Sequence, residues 1–126
     1  MNDHALDITI DQDGNEFTIR MKIVGTLKHS DYDLLNPMME NALAGINEPK
    51  VKILVDLLDF TGYELQAVWD DFKFGIKYNK IFTKIAVVGN KSWEETGITI
   101  ANWFVHAQMK YFGLEKDAVE WLVSTP

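Results

Sequence analysis

The chain has no cysteine among its 126 residues. That excludes disulfides, thiolate nucleophiles and cysteine-ligated metals, and it fits a reducing compartment such as the cytoplasm. No apolar run approaches the ~20 residues a membrane span needs. The first ten residues, MNDHALDITI, lack the basic and apolar regions of a secretion signal. Positive charge is scarce: twelve Lys and Arg against nineteen Asp and Glu leave a net charge of −7. A general nucleic-acid binder needs a basic footprint, so that partner is not expected. Long-range attraction to an anionic membrane is disfavoured for the same reason. The three histidines, His4, His29 and His106, have no metal-ligand spacing, and neither a metal nor another cofactor is expected. No linker, repeat or low-complexity segment interrupts the chain, so residues 1–126 read as one domain.

The charge that is present is uneven. Residues 1–16 hold five acids and no Lys or Arg, whereas Lys73 to Trp93 hold five lysines and no acid. Such runs mostly solvate a helix end or a loop, and cations favour a helix C-terminus. A local phosphate or headgroup site is the other reading of the lysine run.

Apolar residues alternate in ALDITID and again in EFTIRMKIVG, around the turn residues DQDG. This predicts an antiparallel hairpin of residues 5–11 with 16–24, turning at Asp13 and Gly14. A helix follows in HSDYDLLNPMMENALAGI, with Ser30 as N-cap and a stripe of Tyr32, Leu35, Met39, Ala42, Leu43 and Ile46. Pro37 predicts a kink in it. VKILVDLLDF and FTKIAVVGN are nearly continuous apolar runs, as strands buried on both faces are. Helices are expected over YELQAVWDDFKFGIKYNK, over SWEETGITIANWFVHAQ, which opens on the capping-box pattern of Ser92 and Glu95, and over EKDAVEWLV. MKYF reads as a short edge strand. The predicted order is β-β-α-β-α-β-α-β-α, an α/β domain with a mixed sheet of about five strands and about four helices. Its alternating second half requires parallel strands.

Four stretches, HSDYDLLNPMMENAL, ILVDLLDFTGYELQAVWDDFKFG, KIAVVGNKSWEE and MKYFGLEKDAVEWL, resemble the SpoIIAA-like family of small bacterial proteins, relatives of STAS-domain regulators. They cover most of the chain from Gly25 onward. The resemblance implies a mixed sheet with helices largely on one side and a non-enzymatic role. The family is similar in fold to anti-sigma-factor antagonists and to lipid-carrying CRAL-TRIO domains, which implies an apolar ligand or membrane association.

The corner Asp59-Phe60-Thr61-Gly62 allows three readings. Asp56 and Asp59 are a poor catalytic pair, because residues three apart at a strand end point to opposite faces and no His, Ser or Cys stands near. Anti-sigma-factor antagonists carry a D-S-S-G type motif whose serine before the glycine is phosphorylated, and Thr61 keeps a hydroxyl at that place. Phe60 departs from the pattern, and so does the shorter preceding loop. The plainest reading is structural: Asp59 accepts bonds from the turn or Thr61 caps the next helix, and Gly62 supplies a positive φ.

The second predicted helix is apolar on two sides. At ~100° per residue, Leu65, Val68, Trp69, Phe72 and Ile76 cluster on one face, and Ala67, Phe74 and Tyr78 lie opposite. Either a neighbouring helix covers Phe74 and Tyr78, or they line a groove or an interface. The third helix contains TGITI, poor helix material because of its glycine and β-branched residues, and is either a well-packed core helix with a strained start or a lid over such a groove. VVGNKSWEE lacks the first glycine of a phosphate loop and Asn90 splits its Gly-Lys pair, which leaves at most a weaker anion site at Lys91 and Ser92.

These features predict a non-enzymatic binding protein, cytoplasmic or peripheral at the membrane, that takes a lipid or other apolar molecule between the second and third helices. Trp69, Phe72, Phe74, Tyr78, Trp103 and Phe104 are the pocket candidates, with Lys77, Lys91 and Ser92 for a headgroup. The alternative is a partner-switching regulator with Thr61 as its phosphorylation site, acting through a protein partner. A homodimer is compatible with either.

Overall fold

A computed structural model of the chain describes residues 5–63, 77–78, 80–89 and 107–124. The hairpin forms as the alternation predicts. β1 (Ala5–Asp13) and β2 (Glu16–Leu27) pair antiparallel from Ala5 opposite Val24 to Asp13 opposite Glu16. Both strands run further than predicted, and the turn is Gly14-Asn15, one residue past the expected centre. Gly14 has φ 63°, which a side chain would resist.

α1 (His29–Leu43) starts one residue before the predicted cap. Ser30 lies inside the helix, and the N-cap is Lys28, whose backbone N–H donates to the Asp31 carboxylate at 2.8 Å. The helix start is thus closed by an acid in the first turn that accepts the N-cap N–H, not by a serine accepting an N–H of that turn. The helix runs through Pro37, which is exposed. It stops where Gly45, at φ 73°, reverses the chain and Ile46 N–H donates to the Leu43 carbonyl at 3.1 Å.

β3 (Lys50–Asp56), β5 (Phe82–Val88) and β6 (Gln108–Phe112) add in parallel, giving the order β1-β2-β3-β5-β6. The sixth strand, β4 (Phe60–Tyr63), was not foreseen. It pairs in parallel with the far end of β2 after a register shift between Gly25 and Thr26. Gly25 has φ 79° and donates its N–H to the Asp59 carbonyl at 2.9 Å. One long strand thus serves β3 with its first half and β4 with its second.

Period-2 alternation sorts the sheet into two faces. Ile19, Ile53, Ile85 and Met109 stand in one lateral row, and the first three are buried in the larger core with Tyr32, Leu35 and Met39 of α1. Each such fully buried aliphatic side chain contributes roughly 1.5–3 kcal/mol. The opposite face carries Leu54, Ala86 and Val88 under Ala118 and Leu122 of α2 (Glu115–Val123). The two described helices therefore lie on opposite faces of the sheet, where the resemblance implies helices largely on one side. The further helices predicted around residues 63–80 and 92–108 fall mostly or wholly outside the described residues, of which only 77–78 are helical in those stretches.

Candidate functional site

The corner after β3 is built from a short-range bond and a strand. Asp56 closes β3 and is buried, and its carboxylate accepts the Leu58 backbone N–H at 3.0 Å. This is the Asx-type turn an aspartate at that position favours. Leu57 N–H donates to the Val88 carbonyl at 2.7 Å, which fastens the same corner to β5. Asp59 turns outward, 3.5 Å from Lys22 Nζ on β2. Both partners of that pair are about half exposed, so it orients the loop more than it stabilises the fold. Asp56 and Asp59 are thus engaged separately, one in a turn and one with a lysine.

Thr61 does not cap a helix. It sits in β4, and its hydroxyl oxygen lies 3.1 Å from that of Thr26 on β2, at an exposed position. The hydroxyl pair follows from the switch at Gly25, which places Thr26 and Gly62 in register. Gly62 has φ 151°, a positive value as expected, but in an extended strand and not at a helix start. Phe60, Thr61 and Tyr63 are strand formers. That composition was the available signal for β4, and it is weak over four residues.

Of the predicted pocket residues, Tyr78 is in the larger core at 6% exposure, so it is covered. Lys77, a headgroup candidate, bonds Glu40 on α1 at 2.8 Å. That carboxylate bond raises the Lys77 pKa above the ordinary lysine range. Trp69, Phe72, Phe74, Lys91, Ser92, Trp103 and Phe104 lie outside the described residues. Among the described residues no group of three His, Asp or Glu side chains could hold a metal. No described helix is long and apolar enough to cross a membrane.

One lysine of the basic run has a structural role that its position did not reveal. Lys84 is buried at 3% exposure, and its ammonium donates to the carbonyls of Trp121 and Ser124 at 3.1 and 2.9 Å and to the Ser124 hydroxyl at 3.2 Å. It closes the C-terminal end of α2, where free carbonyls and the helix dipole favour a cation. The Trp121 ring lies 5.0 Å from the same ammonium. Burial, then the charges of Lys52 and Lys110, hold its pKa below the ordinary lysine range.

The family described as SpoIIAA-like matches residues 18–123. Among solved structures, the chain is similar to an uncharacterised protein from the DUF3478 family with a SpoIIAA-like fold, from Shewanella loihica. The two are 38% identical, superpose with a TM-score of 0.80, and each is covered over 97% of its length. No curated protein matches the chain.

Proposed function

The chain belongs to the SpoIIAA-like family, and from that premise we propose that it is a non-catalytic regulator of STAS type. It binds a protein partner through the corner that carries Thr61. The observation that supports this reading is the exposed Thr61 hydroxyl, presented on β4 beside Thr26. A phosphate on Thr61 adds up to two negative charges two residues from Asp59, beside the Asp59–Lys22 pair. Such a change of charge and hydrogen bonding at a surface strand alters how a partner docks without disturbing the core.

The test has two arms. Intact-mass analysis of protein from its native cell is expected to find a phosphorylated form that Thr61→Ala lacks. Binding to an anti-sigma-type kinase of the same cell is expected to weaken in Thr61→Glu. A chain unmodified in every growth condition, with kinase binding indifferent to Thr61→Glu, overturns the reading.

The apolar-ligand reading stands second. Its two described members, Tyr78 and Lys77, are occupied by the core and by Glu40. Lipid carried through native mass spectrometry, with flotation on liposomes, would put that reading first.

A further inference from the structure

Among the described residues, the face of the sheet that carries α2 is only partly roofed. α2 lies over β3, β5 and β6, while the β1 and β2 positions on that face are polar: Asp7, Thr9 and Asp11, then Thr18, Arg20 and Lys22. Between the end of the hairpin and the C-terminal end of α2 runs a groove of about 530 Å³, within the range of small-molecule sites. Its walls have opposite charge. Asp11, Asp13 and Glu16 come from the hairpin, and Lys50, Lys52 and Lys84 from β3 and β5.

The register fixes the spacing of these walls. Asp11, Thr18, Lys52, Lys84 and Gln108 form one lateral row across five strands. Strands lie ~4.8 Å apart, so the backbones at Asp11 and Lys52 stand about 10 Å apart with only a threonine between them. No ion pair joins the acidic wall to Lys50 or Lys52 among the described residues. Lys52 and Lys84 stand directly opposite on neighbouring strands, an arrangement of like charges that costs stability. The capping bonds to α2 account for Lys84. Among the described residues no ion pair accounts for Lys52. The hairpin end is also pinned in place, because Lys50 N–H donates to the Asn15 carbonyl and the Asn15 amide donates to the Glu48 carbonyl, both at 2.9 Å.

We propose that this groove binds a small zwitterion of the short-peptide class, its carboxylate at Lys52 and its ammonium at the Asp11, Asp13 and Glu16 wall. The carboxylate offsets the repulsion between Lys52 and Lys84, and the Thr18 hydroxyl lies between the two ends of the ligand. The site is on a different part of the molecule from the Thr61 corner and does not depend on the regulatory reading.

The experiment is an NMR titration of the whole chain with triglycine, following the backbone amides of Thr18, Lys52 and Thr83. N-acetyltriglycine lacks the ammonium and triglycinamide lacks the carboxylate. Each is expected to bind roughly threefold to fivefold more weakly than triglycine, the size of a partly exposed ion pair. Lys52→Gln and Asp11→Asn are each expected to weaken triglycine by a similar factor, while Lys110→Gln, outside the groove, leaves it unchanged. Lys52 is half-exposed and its removal relieves a like-charge contact, so the fold is retained; Asp11→Asn gives a second, independent readout. No shifts at these amides, equal binding of the three peptides, or parent-like binding by both variants overturns the assignment.

Discussion

The Lys84 ammonium lies 2.9 Å from the Ser124 carbonyl, so a lysine from the middle of the sheet closes the end of a helix forty residues later in the chain. The relationship couples the last strand-helix unit to β5 by polar bonds, in addition to the apolar contacts of Ala118 and Leu122. Removing the lysine takes the charged donor from the Ser124 carbonyl, while the Trp121 carbonyl keeps the Ser124 N–H at 3.2 Å and the Ser124 hydroxyl at 2.6 Å. Lys84→Ala is expected to lose about 2 kcal/mol, the scale of buried bonds to a charged group. Urea unfolding at neutral pH measures it, and Trp121, the tryptophan at this contact, adds a local fluorescence change.

The same lysine sets a pH dependence of known sign. Its pKa is lowered by burial and by Lys52 and Lys110. Between that lowered value and the ordinary lysine value of about 10.4, the unfolded chain holds more protons than the folded one. Stability contributed by this group therefore rises with pH across that window. Tyr111, whose pKa burial raises, works the other way above about pH 10. Tyr111 is present in both the parent and Lys84→Met, so its effect cancels in the difference. Parent minus Lys84→Met stability should increase on approaching pH 10.4; a flat or falling difference contradicts the assignment.

Gly25 is where β2 exchanges one neighbour for another, at φ 79°. A Cβ there is expected to cost about 1–2 kcal/mol, because the left-handed region opposes one. Gly25→Ala also strains the strand switch that brings Thr26 beside Thr61. Thermal unfolding reports the first effect. A changed response of the Thr61 amide in an NMR spectrum reports the second.

The sheet was legible because its signals are local and redundant. The alternation of Leu6, Ile8 and Ile10 against Phe17, Ile19 and Ile23 specifies a hairpin register, and the runs around Ile53 and Ile85 specify strands buried on both faces. The stripe from Tyr32 to Leu43 is the side of α1 that packs on the core, whereas Ile46, expected within the helix, lies beyond its end. Four features were not legible. Lys28 caps α1 through its backbone, which no side-chain preference announces. β4 is four residues long and exists because β2 bends at Gly25 to meet it, a tertiary event. Thr26 gains meaning only through that pairing, thirty-five residues from Thr61. Lys84 looked like one of a run of surface lysines, and its burial depends on where α2 ends. The pocket aromatics expected on the second and third predicted helices rest on periodicity, and only Tyr78 among them has a described place.

The Thr26–Thr61 contact is exposed, so each hydroxyl has water as an alternative partner. Thr26→Val and Thr61→Val should each cost less than about 1 kcal/mol, and their coupling in a double-mutant cycle should be about 0.5 kcal/mol or less. A small coupling matters for the regulatory reading, because a hydroxyl that is weakly held is available for modification. Urea unfolding of the four proteins in the cycle gives the coupling directly, and a value well above 1 kcal/mol would mark the pair as structural.

Two leucines separate what packing contributes from what mere apolarity contributes. Leu122 on α2 is 2% exposed against Leu54, Ala86 and Val88, whereas Leu34 on α1 is 63% exposed. Leu122→Ala removes buried contacts and leaves a cavity beneath a nine-residue helix, which should cost about 2–5 kcal/mol. A helix that short has little stability of its own. Its loss of anchor should therefore also loosen the Lys84 cap, and Lys84→Ala in the Leu122→Ala background should cost less than it does alone. Leu34→Ala touches no such assembly and should stay within about 0.5 kcal/mol of the parent, since alanine also favours the helix. If Leu34→Ala instead destabilises as much as Leu122→Ala, the exposed side of α1 is buried in solution against something other than water, and sedimentation of the purified chain would then show an oligomer.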